Sequence, residues 1–292
     1  MTSEQRIGLA VQKSGRLARE SEELLEQCGI DLIKSKDQLF CTAGNFPMDV
    51  YFVRDDDIPA FVAAGVCQIG IVGQNVLLED AGSHNGLETV HELGFGGCRL
   101  SIAAPHNMPY DGPESLNGKS IATSYPYLLG QYAEREGIHC NIVTMNGAVE
   151  IAPRIQMADC ICDLVSTGST LAMNGLKEIE TILRSQAVLV RNTRLSDDQQ
   201  ALIDRFLRRL EGVRQAQSSK YIMLHCPRSA LTEIQAVLPG AETPTILELQ
   251  GREDVVAVHA VCNEGVFWDT MEKLKACGAS SILVLPIEKL LA

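Results

Sequence analysis

The sequence predicts an α/β protein: two α/β lobes face each other across a cleft, and a smaller βαββαβ module follows at the carboxyl end. Three observations predict it. Short apolar runs alternate with amphipathic helical stretches through the first half. Glycines at Gly94, Gly96 and Gly97, followed by the Pro/Gly-rich loop His106–Asn117, mark a crossing into a second lobe. The pattern then changes after the polar stretch Gln215–Lys220. A chain of 292 residues with 46% apolar content has the length for two or three compact units with cores of their own.

In the first lobe Arg6–Val11 reads as a strand and Arg16–Cys28 as a helix, with Leu17, Leu24, Leu25 and Cys28 on one face and Gly29 as its stop. Asp49–Val53 reads as a strand. Asp55, Asp56 and Asp57 should cap a helix running to Ala64, with Pro59 tolerated in its first turn. Gln68–Val72 is a short buried strand ending at Gly73. This rhythm implies a mainly parallel sheet with helices on both faces.

Cys98–Ala104 carries the chain onward. The second lobe then holds strands Ser120–Thr123, Cys140–Met145 and Cys160–Val165 and helices Tyr127–Glu136 and Val149–Met157. Strand-like runs Glu178–Leu183 and Ala187–Val190 lead back. Ser196–Arg214 is a capped amphipathic helix with Leu202, Phe206, Leu210 and Val213 on one stripe. In the module, strands Tyr221–Cys226, Thr245–Leu249, Val255–Val261 and Ser281–Leu285 alternate with helices Ser229–Leu238 and Val266–Cys277, the ferredoxin-like order. The expected division is 1–97 with 184–218 as lobe I, 98–183 as lobe II, and 219–292 as the module.

Charge and composition exclude several classes. With 25 Lys+Arg against 37 Asp+Glu the formal charge is −12, which argues against nucleic acid as partner but not against a small anion held by a few placed cations. No apolar run approaches the roughly 18 residues of a membrane helix, and the N-terminus offers no signal-peptide core. The ten cysteines form no C-x-x-C pair, so they read as free thiols in a reducing cytoplasm.

The most informative window is DCICDLVSTGSTLAMNGL, Asp159–Leu176. A strand runs into Ser166, Thr167, Gly168, Ser169 and Thr170, and a helical segment follows. Free amides at a helix start, with hydroxyls beside them and a glycine allowing close approach, suit a phosphate monoester. An ordinary Ser/Thr-rich turn with a good cap is the plain alternative. Asp163, just upstream, could accept sugar hydroxyls or hold magnesium through water. The turn has no lysine, so it is not a Walker loop, and Gly118-Lys119-Ser120 has Pro113 where that loop needs glycine.

Gln12-Lys13-Ser14-Gly15-Arg16 leaves the first strand at its carboxyl end, where open α/β sheets put their ligands. Cations at a helix start oppose the macrodipole and make sense if a polyanion docks there; a solvated basic turn is the alternative. Arg54 leads the three aspartates, which could simply hold it. Tyr125, at another strand-to-helix turn, offers either a face for a base or a side chain packed in the wall between the lobes. Glu150 lies in the turn Asn146–Glu150 and is either functional or a first-turn carboxylate stabilised by the dipole.

The chain resembles the long, histidine-regulated form of the ATP phosphoribosyltransferase family, the first enzyme of histidine biosynthesis. The resemblance rests on QKSGRL (Gln12–Leu17), VRDDDIP (Val53–Pro59), FGGCRLS (Phe95–Ser101), IATSYP (Ile121–Pro126), NGAVEIAPR (Asn146–Arg154), CDLVSTGSTL (Cys162–Leu171) and ASSILVLPIEKL (Ala279–Leu290). It implies transfer of a phosphoribosyl group from 5-phosphoribosyl 1-pyrophosphate to N1 of ATP, with Mg2+ required. It also implies the 5-phosphate on Ser166–Thr170, the donor ribose on Asp163, and the nucleotide near Lys13, Ser14, Arg16, Arg54 and Tyr125. Leu164 follows Asp163 where unrelated phosphoribosyltransferases carry a second acid, so Glu150 is the candidate for a further ribose or magnesium contact or for the base. The metal ligands stay open. The module resembles an ACT-like regulatory domain, implying histidine as inhibitor and a dimeric or hexameric homo-oligomer in which strands Thr245–Leu249 and Ser281–Leu285 pack between subunits. A solute-binding protein has the same two-lobed plan, so a cytosolic binding or sensor protein of periplasmic-binding-protein fold without catalysis is the alternative from another class.

Overall fold

The computed structural model describes residues 5–33, 38–80, 85–238, 243–263 and 268–290. Contacts divide the chain into two compact units, residues 1–26 with 30–203, and residues 27–29 with 204–292.

The first unit holds two sheets. Its elements run β1 (Ile7–Gln12), α1 (Ala18–Gln27), β2 (Leu32–Ile33), β3 (Phe40–Ala43), β4 (Met48–Val53), a 3-10 turn Asp55–Asp57, α2 (Ile58–Ala63), β5 (Ile69–Gly73), α3 (Gln74–Glu79) and β6 (Leu87–Glu92). There follow β7 (Cys98–Pro105), β8 (Ser120–Thr123), α4 (Pro126–Glu136), β9 (Asn141–Thr144), β10 (Cys160–Val165), α5 (Ser169–Met173), β11 (Leu176–Ser185), β12 (Ala187–Asn192) and α6 (Asp197–Gln217), which runs on into the second unit. The first sheet has the order β2-β3-β4-β1-β5-β12-β6 and the second β11-β7-β10-β8-β9. β1 is buried along its whole length, as befits a central strand covered on both faces.

Neither sheet is mainly parallel, contrary to expectation. β1 pairs parallel with β4 and β5, but β3, β12 and β6 pair antiparallel around them. In the second sheet β8 pairs parallel with β9 and β10, while β7 and β11 run antiparallel. Two features cause this: β2, β3 and β4 follow one another as antiparallel neighbours, and β7, β11 and β12 carry the chain between the sheets without a crossover helix, so each enters against its neighbour.

β10 shows how the second lobe is built. Cys160 and Cys162 join Leu129, Tyr132 and Ala133 of α4 in one cluster, whereas Ile161 and Val165 join Val149, Ala152 and Leu171 in another. The two-residue period therefore sends Asp163 to the face shared with Val149.

Other expectations need correction. The helix predicted over Val149–Met157 is a single 3-10 turn, Val149–Ile151. Pro153 has no N–H for a continuing ladder, and Gln156 takes a left-handed φ of 60°. The first helix begins at Ala18 rather than Arg16, because Gly15 is left-handed (φ 116°) and the buried Gln12 accepts the Leu17 N–H at 2.8 Å. The three aspartates form a 3-10 turn ahead of α2, and neither that turn nor α2 has a side-chain cap. β2, β3, α3 and β6 were not foreseen.

The second unit contains β13 (Ser219–Pro227), a 3-10 turn, α7 (Leu231–Val237), β14 (Thr245–Leu249), β15 (Arg252–Asn263), α8 (Trp268–Ala276) and β16 (Ser280–Pro286). Its antiparallel sheet has the order β14-β15-β13-β16, as the βαββαβ reading requires. Ile222, Leu224, Val256 and Val258 form a core with Ile234 of α7 and Leu274 of α8. The predicted helix start at Val266, and the ends 1–4 and 291–292 of the expected division, lie outside the described residues.

Candidate active site

β10 delivers its carboxyl end to the turn Ser166-Thr167-Gly168, and α5 begins at once. Gly168 takes a left-handed conformation (φ 81°, ψ 0°), which a side chain there would oppose. The first bond of α5 runs from the Ala172 N–H to the Gly168 carbonyl at 3.1 Å, so the amides of Ser169, Thr170 and Leu171 have no carbonyl within the helix to receive them. Ser166, Thr167, Ser169 and Thr170 are exposed. The hydroxyls of Thr167 and Ser169 lie 3.1 Å apart, and the Ser169 N–H reaches Thr167 Oγ1 at 3.5 Å.

A brace behind this turn escaped the sequence reading. Arg99 Nη1 donates to the Ser166 carbonyl at 3.1 Å, while its Nε and Nη2 make paired bonds to the two oxygens of Glu178 at 2.5 and 2.6 Å. Ser101 Oγ adds a bond to Glu178 Oε1 at 2.8 Å. Arg99, together with the hydroxyls of Ser101 and Thr181 and against a weaker desolvation, holds the Glu178 carboxyl down to about 2. The available signal was that Arg99 and Ser101 share one face of a predicted strand. Nothing in sequence pointed to a partner 79 positions away.

Asp163 lies three residues upstream of Ser166, about 10 Å along an extended strand. Its Oδ1 accepts the Leu164 N–H at 2.7 Å. Burial raises its carboxyl above the ordinary value, the Leu164 bond pulls it back, and the negative charge of Glu150 adds to the rise. Glu150 reaches this position after two left-handed residues, Gly147 (φ 100°) and Ala148 (φ 50°), with Val149 anchored in the core.

Tyr125 faces both lobes. Its ring packs against the second-lobe core, and its hydroxyl receives the Nδ2–H of Asn75 at 3.2 Å from the first lobe. Burial pushes the phenol strongly upward, the charges of Asp163, Asp55 and Asp56 push it further, and the Asn75 bond partly offsets them. The Asp56 carboxyl is itself raised by burial and by Asp55, against the pull of Arg54. The structure thus brings Arg54, the aspartates, Tyr125, Asp163 and Glu150 into one electrostatic neighbourhood. Of the two alternatives for Tyr125, the structure supports the wall: its ring packs on one lobe and its hydroxyl bridges to the other.

Lys13 and Arg54 leave adjacent parallel strands, and the Lys13 N–H donates to the Val53 carbonyl at 2.7 Å. Lys13, Ser14 and Arg54 are exposed. Arg16 is half-buried and also ties the fold together: its Nη1 donates to the Gly96 carbonyl at the crossing between lobes. Gly96 is left-handed (φ 62°), and a Cβ there would clash with Cδ2 of the buried Leu17, so a side chain at the crossing would force Leu17 to move.

The family model described as HisG, ATP phosphoribosyltransferase, matches residues 54–212, and that of the HisG C-terminal domain matches residues 216–289. Arg54 opens the first match, and Lys13, Ser14 and Arg16 precede it. A chain of the ATP phosphoribosyl transferase (HisG:HisZ) complex from Thermotoga maritima is similar at 28% identity, over 70% of this chain and 96% of that one, with a TM-score of 0.59. A probable amino-acid ABC transporter extracellular-binding protein from Bacillus subtilis is similar at 12% identity, over 72% and 92% of the two chains, with a TM-score of 0.48. The periplasmic aliphatic sulphonate binding protein from Escherichia coli stands at 12% identity, 73% and 75% coverage and a TM-score of 0.48.

Proposed function

The chain belongs to the ATP phosphoribosyltransferase family, pentosyltransferases of histidine biosynthesis, and from that premise we propose that it joins N1 of ATP to the anomeric carbon of 5-phosphoribosyl 1-pyrophosphate, releasing pyrophosphate. The observation that carries this reading is the open first turn of α5 behind Gly168, exposed and lined by hydroxyls. The donor 5-phosphate sits on the amides and hydroxyls of Ser166–Thr170, and Asp163 accepts hydrogen bonds from the ribose.

Lys13, Ser14, Arg16, Arg54 and Tyr125 serve the nucleotide. The exposed Lys13 and Arg54 meet its phosphates, and Tyr125 stands beside the adenine. In a chain of charge −12 these cations screen two phosphate-rich substrates from each other. As adenine N1 bonds to the anomeric carbon, the bond from that carbon to the pyrophosphate oxygen breaks, through a transition state with oxocarbenium character. No covalent nucleophile is needed; alignment and charge supply the rate. Alkylation at N1 acidifies the N6 amino group, and Glu150 collects its proton.

Among the described residues no group of three or more His, Cys, Asp or Glu could hold a metal ion. The half-buried Asp163 nevertheless fits magnesium, which keeps several waters and needs only one or two carboxylates beside substrate phosphates. When bound there, Mg2+ would neutralise charge developing on the leaving pyrophosphate.

We assign residues 219–292 as the regulatory module and histidine as its inhibitor. β14 and β16 expose Ile246, Leu247, Leu283 and Leu285, apolar surface that supports a homo-oligomer, dimeric or hexameric. All ten cysteines are free, and no described helix is long and apolar enough to cross a membrane, which suits a cytoplasmic biosynthetic enzyme.

The deciding assay is pyrophosphate release with the full chain. We expect release only when ATP, the donor and Mg2+ are all present, and slower release on adding histidine. Binding of both substrates without release would leave a sensor in place of an enzyme. Glu150→Gln should lower kcat about a hundredfold with the donor KM nearly unchanged, and an unaltered kcat would remove the base.

A further inference from the structure

The short helix α3 of the first lobe grips the start of α4 in the second lobe at two points. At its last turn, Glu79 Oε1 accepts the Tyr127 N–H at 2.8 Å and Oε2 accepts the Leu128 N–H at 3.0 Å. Both amides belong to the first turn of α4, whose N-cap residue, Tyr125, makes no side-chain cap bond of its own. The cap comes instead from a carboxylate 48 positions earlier in sequence. Burial raises the Glu79 carboxyl while the two amide bonds draw it down.

One turn earlier on α3, Asn75 Nδ2 donates to the Tyr125 hydroxyl. Asn75 is only 1% exposed and is itself locked. Its backbone N–H donates to Ser185 Oγ at 3.0 Å, and that hydroxyl donates back to Asn75 Oδ1 at 2.8 Å. A Cβ on the preceding Gly73 would lie 2.6 Å from Asn75 Oδ1, so the residue before α3 leaves room for this arrangement only as glycine. Tyr125 is therefore held from three sides: by its own core, by Asn75, and through the capped helix that begins beside it.

We propose that Asn75 and Glu79 are positioning residues of the transferase, forming a clamp from the opposite lobe that fixes the lobe separation and the orientation of Tyr125. The inference rests on the reading that places Tyr125 beside the adenine. An aromatic ring fixed before binding costs the nucleotide less ordering, so the clamp acts on nucleotide affinity and leaves the phosphate turn behind β10 untouched.

The test uses full-length Glu79→Ala, Glu79→Gln and Asn75→Ser in the pyrophosphate-release assay, with amide exchange read at Tyr127 and Leu128. Glu79→Ala should raise the ATP KM about tenfold, the scale of a lost charged hydrogen bond, while the donor KM stays within about twofold. The two amides should exchange faster. Glu79→Gln keeps one acceptor and should fall between, and it carries the test if the alanine variant does not fold. Asn75→Ser should raise the ATP KM without exposing the α4 amides. An ATP KM unchanged in all three variants, or equal rises for both substrates, overturns the clamp. If the wild-type chain releases no pyrophosphate, the proposed reaction falls, and the ATP dissociation constant is then measured by calorimetry. Tenfold weakening in Glu79→Ala supports the clamp, and unchanged binding overturns it.

Discussion

β8 and β10 are parallel neighbours, and each feeds a helix from its carboxyl end, yet the two helix starts are in opposite states. At α4 the start is filled: Pro126 removes one donor, and Glu79 takes the Tyr127 and Leu128 amides. At α5 the start is open: Gly168 turns the chain, the hydroxyls face solvent, and Arg99 holds the turn from behind by the Ser166 carbonyl. Two helix starts of similar local design thus differ in what the fold lays over them. One spends its positive end on joining the lobes, and the other leaves its first-turn amides without a carbonyl in the helix, the end to which the proposed function assigns the donor phosphate.

The largest test of this contrast gives the open turn a carboxylate of its own. Ser169→Asp should raise the donor KM about a hundredfold by setting a negative charge where the phosphate binds, while the thermal midpoint holds or rises slightly, as an acid at a helix start allows. A donor KM within threefold of wild type would mean that the turn is no phosphate seat. Gly168→Ala ranks next, at about tenfold in donor KM with about 1 kcal/mol of lost stability from the left-handed backbone. The added methyl would meet only Val165 Cγ1, at 4.0 Å, so protein packing offers no other cause.

The smallest effect should come from the brace. Glu178→Gln weakens the hold of Arg99 on the turn and should raise the donor KM only about threefold. Its pH signature is sharper. The Glu178 carboxyl lies at about 2 against an ordinary 4.5, so its stabilising contribution is complete above pH 4.5 and fades as pH falls toward 2. Unfolding curves for wild type and variant should converge across that window, and a gap constant down to pH 2 would break the assignment.

Much of the fold could be read in advance because its signals are local. CICDLV followed by STG announces a strand and a sharp turn, and the module's alternation of strands and helices sets out βαββαβ. The family resemblance drew on segments along the whole chain, and the family models cover residues 54–212 and 216–289. The failures were of another kind. Val149–Met157 has helical apolar spacing, but Pro153 and the left-handed Gln156 overrule it. α3 is six residues long and gives periodicity too little to repeat, although it carries the clamp.

What the sequence determined alone was the set of strands and helices with clear periodicity, the glycine at the left-handed turn after β10, and the family. These depend on neighbours along the chain, whose spacing and backbone freedom are written in order. Only the tertiary structure decided which helix start is capped and which is open, which carboxylate Arg99 grips, and which lobe holds the Tyr125 hydroxyl. Each depends on a partner dozens of positions away, brought within hydrogen-bond reach by strand pairing across two sheets, and single-sequence periodicity carries no record of that pairing.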